Sequence, residues 1–115
     1  MDNPQSSNSQ NMLTFKKLKV EIFNSDIWFY RGKYKDFLEL LDKENKTISG
    51  DYEDCDGLTF NYGSLQVIWV DQQASLAIKM HEYLHAVLNI CDEHGLDRND
   101  DELLCYLLEF LVKSL

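Results

Sequence analysis

The chain has few basic residues and no long apolar run, and both shortages restrict its possible functions. Only 11 of its 115 residues are Lys or Arg, against 20 Asp or Glu, which gives a formal net charge of −9. An acidic surface of this kind disfavours nucleic acid and anionic membranes as partners. A membrane-spanning helix needs about 20 consecutive apolar residues, and no stretch of the sequence approaches that length.

Cysteine and proline are scarce as well. The three cysteines, Cys55, Cys91 and Cys105, have no paired spacing, and an odd count without a secretory signal predicts a reducing compartment. The opening stretch MDNPQSSNSQNM is polar, contains the only proline and lacks an apolar signal core. We therefore predict a soluble, cytoplasmic protein in which residues 1–12 form a disordered tail.

The remaining chain has enough apolar material for one folded domain, which we place at residues 13–115. The hydrophobic fraction is 44%, with 6 Phe and 6 Tyr. Alternation at residues 17–23 and an aromatic run at 27–30 indicate two strands, and residues 34–43 have the spacing of an amphipathic helix. A hairpin is predicted from two further strands, at 57–61 and 65–70, the second of which could pair with a peptide at a cleft edge.

Two more helices are predicted in the last third of the chain. The first covers residues 72–92, with Asp71 as a possible N-cap and Gly95 as its stop. Its predicted apolar stripe consists of Ala77, Met80, Leu84, Val87, Leu88 and Cys91. The second helix covers residues 101–113 and is rich in leucine. The predicted fold class is therefore α+β, with a small, mostly antiparallel sheet packed against these two helices.

The first of these helices contains the most informative stretch, the HExxH sequence from His81 to His85. Residues four apart share one helical face, so His81 and His85 can bring two imidazoles to one metal ion. Glu82 is close enough to reach a water molecule at that metal and to accept a proton from it. The pattern predicts one Zn²⁺ per chain, since imidazole and carboxylate ligands suit zinc.

A third protein ligand is expected from the last helix, which carries Glu102, Tyr106 and Glu109 on one stripe. We favour Glu102, with Asp101 as the near alternative, because Glu109 is about two turns away. Tyr106 could hydrogen-bond a ligand or assist an oxyanion. The alternative interpretation of Tyr106 is a buried ring with its hydroxyl at the rim.

Other candidate groups favour plainer interpretations. Cys91 is interpreted as a core residue and His94 as a surface residue near a helix C-terminus. The acidic residues between 51 and 56 are interpreted as a solvated loop, because their spacing does not match a calcium loop. For the HExxH stretch, a structural helix with solvated histidines and a metal site without catalysis both stay open.

The stretch WVDQQASLAIKMHEYLHAVLNICDEHGLDRNDDELLCYLLEFLV resembles small zincin-like proteins encoded by phages or prophages, which are similar to minimal gluzincins. The likeness covers about residues 57–113 and rests on the HExxHAV helix, the Asp-x-x-Gly stop and the final helix. It implies that His81 and His85 are zinc ligands, Glu82 the general base and Glu102 the glutamate ligand. Larger gluzincins have an aspartate where Tyr106 stands.

Two functions from different classes follow. The first, implied by the resemblance, is a phage-encoded zinc metallopeptidase that acts on a peptide or protein substrate in the bacterial cytoplasm. The second is a non-catalytic acidic protein that binds a host protein or mimics DNA, with a structural or vestigial metal site. An enzyme needs Glu82 and Glu102 in one cleft beside His81 and His85. A mimic needs carboxylates spread over an exposed face.

Overall fold

The computed structural model describes residues 13–97 and 99–115, so the predicted tail at 1–12 lies outside the described residues. Four strands form one sheet: β1 (Thr14–Val20), β2 (Ser25–Arg31), β3 (Gly57–Tyr62) and β4 (Leu65–Val70). The α-helices are α1 (Tyr34–Lys43), α2 (Leu76–Glu93) and α3 (Asp101–Ser114), and a short 3-10 helix, Glu21–Phe23, joins β1 to β2. The predicted α+β class is confirmed.

The strand order is β1-β2-β4-β3, with antiparallel pairing of β1 with β2 and of β3 with β4, and parallel pairing of β2 with β4. The sheet is thus mostly antiparallel, as predicted. However, the prediction that residues 65–70 lie at a cleft edge is wrong, because β4 is paired on both sides. Its nearly continuous apolar sequence, LQVIWV, is typical of a strand covered on both faces. The edge strand next to β4 is β3, and β1 is the edge strand at the other side of the sheet.

Helices cover both faces of the sheet. On one face, Phe37 and Leu41 of α1 form a cluster of buried side chains with Tyr30, Val67 and Trp69 of the sheet. On the other face, α2 and α3 share a larger core with the sheet, which includes Ile27, Phe29, Ile68, Val70, Tyr83, Ala86, Val87, Ile90, Leu107 and Leu111. In the part of the chain that the structure describes, no helix is both long enough and apolar enough to cross a membrane.

The ends of α2 are set by local hydrogen bonds. Ser75, rather than the predicted Asp71, is the N-cap, and its hydroxyl accepts a hydrogen bond from the first turn of the helix. The predicted stop at Gly95 is confirmed: its φ is +65°, and the N–H of Leu96 donates to the carbonyl of Cys91 at 2.8 Å. This is the hydrogen bond of a Schellman motif, which ends a helix.

The buried stripe of α2 is rotated relative to the prediction. Ala77 and Leu84 are exposed, whereas Tyr83, Ala86 and Ile90 are buried. The helix has apolar residues around more than half of its circumference, so periodicity alone did not identify the face that the sheet covers. Rotation of the stripe leaves the two histidines of HExxH exposed to solvent and puts the intervening glutamate at the border of the core.

Tyr30 provides a test of the packing. Its side chain is fully buried, its hydroxyl has no hydrogen-bond partner among the described residues, and burial raises its pKa to about 12. A buried hydroxyl without a partner costs about 1–3 kcal/mol of lost hydration. Tyr30→Phe is therefore expected to raise the free energy of unfolding by about 1 kcal/mol, measured by urea denaturation.

The matched control is Tyr34→Phe, because the Tyr34 hydroxyl accepts a hydrogen bond from the backbone N–H of Tyr52 at 3.4 Å. This variant should be neutral or slightly less stable than the wild type. If Tyr30→Phe is destabilised as much as Tyr34→Phe or more, the buried hydroxyl has a partner after all.

Candidate metal centre

His81 and His85 converge on the exposed face of α2. Their Nε2 atoms are 3.1 Å apart and their ring centroids 4.7 Å apart. Two nitrogen ligands of a tetrahedral zinc ion, each at about 2.0–2.1 Å from the metal, lie about 3.3 Å from each other. The same separation also allows one imidazole to donate a hydrogen bond to the other. The two Nε2 atoms are thus separated by about the distance expected between two nitrogen ligands of one tetrahedral zinc ion.

Glu82 extends towards β3 and is almost completely buried, at 6% exposure. The hydroxyl of Thr59 lies 2.7 Å from Glu82 Oε1 and 3.1 Å from the Glu82 carbonyl oxygen. Its one proton is best donated to the carboxylate, in a charge-assisted hydrogen bond. Gly57 leaves space for this carboxylate, since a Cβ there would lie 3.0 Å from Glu82 Cγ and 3.2 Å from Oε2. Two residues of β3 therefore fix the position of Glu82.

The three HExxH side chains share one open pocket of about 420 Å³ beneath the edge strand. It is lined by His81, Glu82 and His85 together with Gly57, Leu58, Thr59 and Asn89. A second hollow of about 440 Å³ also includes His81 and Glu82, and its other walls are Cys55, Asp56, Gly57, Ala77 and Ile78. The structure therefore brings together the predicted general base and both predicted zinc histidines.

The candidate residues of α3 occupy different positions. Asp101 and Glu102 are both exposed, but only Asp101 lines a mainly apolar hollow of about 340 Å³, with Leu84, Leu104, Cys105 and Leu108. Tyr106 is 56% exposed and borders another hollow, formed by residues 19–22 and Phe110. Neither Glu102 nor Tyr106 lines the pocket of the histidine pair. Their roles as ligand and as hydrogen-bonding group stay predictions.

Two imidazoles fit a zinc ion, and a third protein ligand is still needed. Within residues 13–97 and 99–115, no group of three or more His, Cys, Asp or Glu side chains is arranged so that it could hold a metal. Of the three protein ligands that a zinc site needs, the structure therefore brings together two, His81 and His85. The third ligand has to be a further side chain.

The plainer interpretations of Cys91 and His94 agree with the structure. Cys91 is buried in the core, and His94 is exposed at the end of α2. The His94 Nε2 lies 3.1 Å from Ser25 Oγ, and its ring packs against that of Phe23 with 5.3 Å between centroids. Because Ser25 is only 1% exposed, this serine–histidine pair does not present a nucleophile to a substrate.

Sequence reasoning missed four residues of the pocket: Gly57, Leu58, Thr59 and Asn89. For Asn89 a signal existed, because it lies four residues after His85 and so continues the same helical row. Gly57 and Thr59 reach Glu82 only through the packing of β3 on α2, and no local pattern reports such a contact.

An enzyme is expected to have Glu82 and Glu102 in one cleft with the two histidines, and the structure places one of these two glutamates there. Glu82 lies in one pocket with both histidines, whereas Glu102 does not line that pocket. Comparison of the chain with models of known protein families, with curated proteins and with solved structures gave no match. The functional argument is therefore carried by the residues of the site.

Proposed function

We propose that the protein is a zinc-dependent hydrolase of the peptidase type, in which His81 and His85 hold the metal and Glu82 is the general base. The observation that carries this proposal is the 3.1 Å separation of the two Nε2 atoms in the pocket that also contains the Glu82 carboxylate. The phage origin and the bacterial cytoplasm implied by the sequence resemblance belong to the same proposal.

A bound zinc ion would supply Lewis acidity, which polarises a carbonyl group and lowers the pKa of a water molecule towards about 7. Glu82 accepts the proton of the attacking water and delivers it to the leaving amine. The Thr59 hydroxyl holds one oxygen of that carboxylate at 2.7 Å, so the base does not have to be oriented during the reaction. An extended peptide can approach along β3, whose outer edge is not paired with another strand of the sheet.

In this proposal, the third ligand comes from α3, and Asp101 is the favoured residue. Asp101 lines a hollow with Leu84 of α2, and Glu102 does not. This hollow lies beside the histidine pair, because Leu84 and His85 point about 100° apart, so the Asp101 side chain has to swing towards His85 to bind the metal. Successive residues on a helix point about 100° apart, so a helix that turns Asp101 towards α2 turns Glu102 away from it. Glu102, which both the sequence pattern and the resemblance favour, is the alternative.

The proposal is tested by elemental analysis of the purified protein after incubation with zinc and dialysis. We expect about one zinc per chain in the wild type. Loss of a group that merely orients a metal ligand lowers affinity by about 10- to 100-fold, so loss of a ligand should cost more. Asp101→Asn is expected to lose zinc on dialysis, and Glu102→Gln to retain it.

Cys105→Ser is the matched control for this pair, because Cys105 lines the same hollow as Asp101. It should bind zinc like the wild type. Loss of zinc in Glu102→Gln with retention in Asp101→Asn would show that the ligand predicted from the sequence, Glu102, is the correct one. A wild type that holds no zinc would overturn the hydrolase proposal and favour the non-catalytic acidic binding protein.

Gly57→Ala should impair hydrolysis without removing the metal. The new methyl group would lie 3.0 Å from both Glu82 Cγ and Ile78 Cγ2, so Glu82 has to move. A contact of 3.0 Å displaces the neighbouring side chain by a few tenths of an ångström. Because a displacement of about 1 Å at a reacting group can cost about 100-fold in rate, we expect kcat/KM for a cleaved peptide to fall by about 3-fold or more with unchanged zinc content.

Gly95→Ala is the control for the glycine substitution. Gly95 has a φ of +65° and open space around its Cα, so alanine there should cost about 1–2 kcal/mol of stability through backbone strain. Its zinc content and kcat/KM should stay at the wild-type level. Equal activity in Gly57→Ala and the wild type would mean that β3 does not position Glu82.

A further inference from the structure

Asn89 lines the pocket one helical turn beyond His85 and is connected to the interior by a chain of side-chain amides. Its Nδ2 donates to Gln66 Oε1 on β4 at 2.8 Å. Gln66 is 1% exposed, and its Nε2 donates to Asn61 Oδ1 at 2.9 Å and to the carbonyl of Gly63 at 3.3 Å. The chain thus runs from the turn between β3 and β4 to the candidate metal centre.

The backbone of Gly63 fixes the direction of every hydrogen bond in this chain. Its N–H can only donate, and it lies 3.0 Å from Asn61, so the Asn61 atom there has to be oxygen. Its carbonyl can only accept, so the Gln66 atom next to it has to be nitrogen. Gln66 Oε1 then faces Asn89 as an acceptor, so the Asn89 atom next to it has to be the donor, Nδ2. Oδ1 of Asn89 has no hydrogen-bond partner among the described residues and is available to the pocket, beside the second Nδ2 proton.

Asn89 is too far along the helix to be the missing metal ligand. An α-helix rises 1.5 Å per residue, so the Cα of Asn89 lies about 9 Å along the axis from the midpoint between His81 and His85. An asparagine side chain does not span that distance. Oδ1 is therefore available to a ligand that extends beyond the histidine pair.

We propose that Asn89 is a specificity residue that accepts a hydrogen bond from an N–H donor of the substrate, next to the candidate metal centre. This inference rests on the proposed hydrolase function and names a feature of its substrate. The amide of Asn89 cannot turn over to exchange the positions of Oδ1 and Nδ2, because Gln66 cannot turn with it without losing its bonds to Asn61 and Gly63. A substrate oxygen that approaches Oδ1 would face another oxygen, whereas an N–H that approaches it would be bound.

The substrate N–H can belong to the peptide backbone or to a side chain, and kinetics distinguish the two. A peptide that the zinc-loaded protein cleaves is first found in a fluorogenic pool. Its backbone N–H groups are then methylated one at a time, and its side chains are replaced by alanine one at a time. kcat/KM is measured for the wild type and for Asn89→Leu, after the zinc content and circular dichroism of the variant have been checked.

We expect one donor position whose removal lowers kcat/KM of the wild type by about 10-fold or more and leaves Asn89→Leu unchanged, because both changes delete the same hydrogen bond. Coupling to a methylated position assigns the donor to the backbone, and coupling to an alanine position assigns it to a side chain. Cleavage without any coupled position overturns this inference and leaves the hydrolase intact. A wild type without zinc or cleavage overturns both.

A second measurement needs neither zinc nor activity. In the metal-free protein, NMR should show that one Nδ2 proton of Asn89 exchanges with solvent more slowly than a free amide. Gln66→Met should remove that protection, and Gln73→Met, a change at an exposed glutamine, should not. Free exchange of both Asn89 amide protons in the wild type would overturn the inference even if Asn89→Leu does not fold.

Discussion

Replacement of His85 by alanine is expected to abolish zinc binding. His85 and His81 are the two side chains whose nitrogens already converge, at 3.1 Å, so removal of either leaves no pair of ligands in position. We expect zinc content after dialysis to fall from about one per chain to near zero. Zinc at 100 times its dissociation constant should stabilise the wild type by about 2.7 kcal/mol against urea and give His85→Ala no such gain.

His94→Ala is the matched control, since His94 is an exposed histidine at the end of the same helix. Its Nε2 contacts Ser25 rather than another histidine. This variant should keep its zinc while losing some stability. Because His85 is exposed, the free energy of unfolding of metal-free His85→Ala should differ from that of the metal-free wild type by no more than about 0.5 kcal/mol. Wild-type zinc content in His85→Ala would refute the assigned centre.

Glu82→Gln is expected to abolish hydrolysis while zinc stays bound. Glutamine has the shape of glutamate and can still accept the hydrogen bond that Thr59 donates at 2.7 Å, but it cannot take a proton from water. Loss of a general base costs about 10²- to 10⁴-fold, and kcat/KM for a cleaved peptide should fall by that factor. The measurement is a cleavage assay beside elemental analysis of the same preparation.

Glu93→Gln controls for removal of one negative charge from α2, because Glu93 is exposed and is the last residue of the helix, about three turns after Glu82. Its activity should equal that of the wild type. If Glu82→Gln keeps more than about a tenth of the wild-type kcat/KM, Glu82 is not the base. If it loses zinc as well, Glu82 contributes to metal binding rather than to proton transfer alone.

Features set by short-range physics were predicted from the sequence. The bounds of α1 agree with the prediction, because its apolar residues recur at helical spacing between two polar segments. The HExxH pair is also local, since four residues on a helix determine its geometry. The start of α2 was misplaced because Asp71 and Ser75 are both acceptable N-caps, and only the completed turn shows that Ser75 is used.

Features that depend on distant contacts could not be predicted. The inner position of β4 results from its parallel pairing with β2, and no local pattern records which distant strand lies beside another. Support of Glu82 by Thr59 likewise crosses from α2 to β3. The choice between Asp101 and Glu102 depends on the rotation of α3 about its own axis. The sequence does not determine this rotation, because α3 has leucines on several of its faces.

The two edges of the sheet have different resistance to self-association. β1 carries Lys16, Lys17 and Lys19, whereas β3, with the sequence GLTFNY, has no charged side chain. Lysines on an edge strand discourage pairing with a strand of another molecule. The unprotected edge is the one above the pocket, where the backbone groups that could receive a peptide could equally receive β3 of a second chain. Access for a substrate and a tendency to aggregate thus have the same origin.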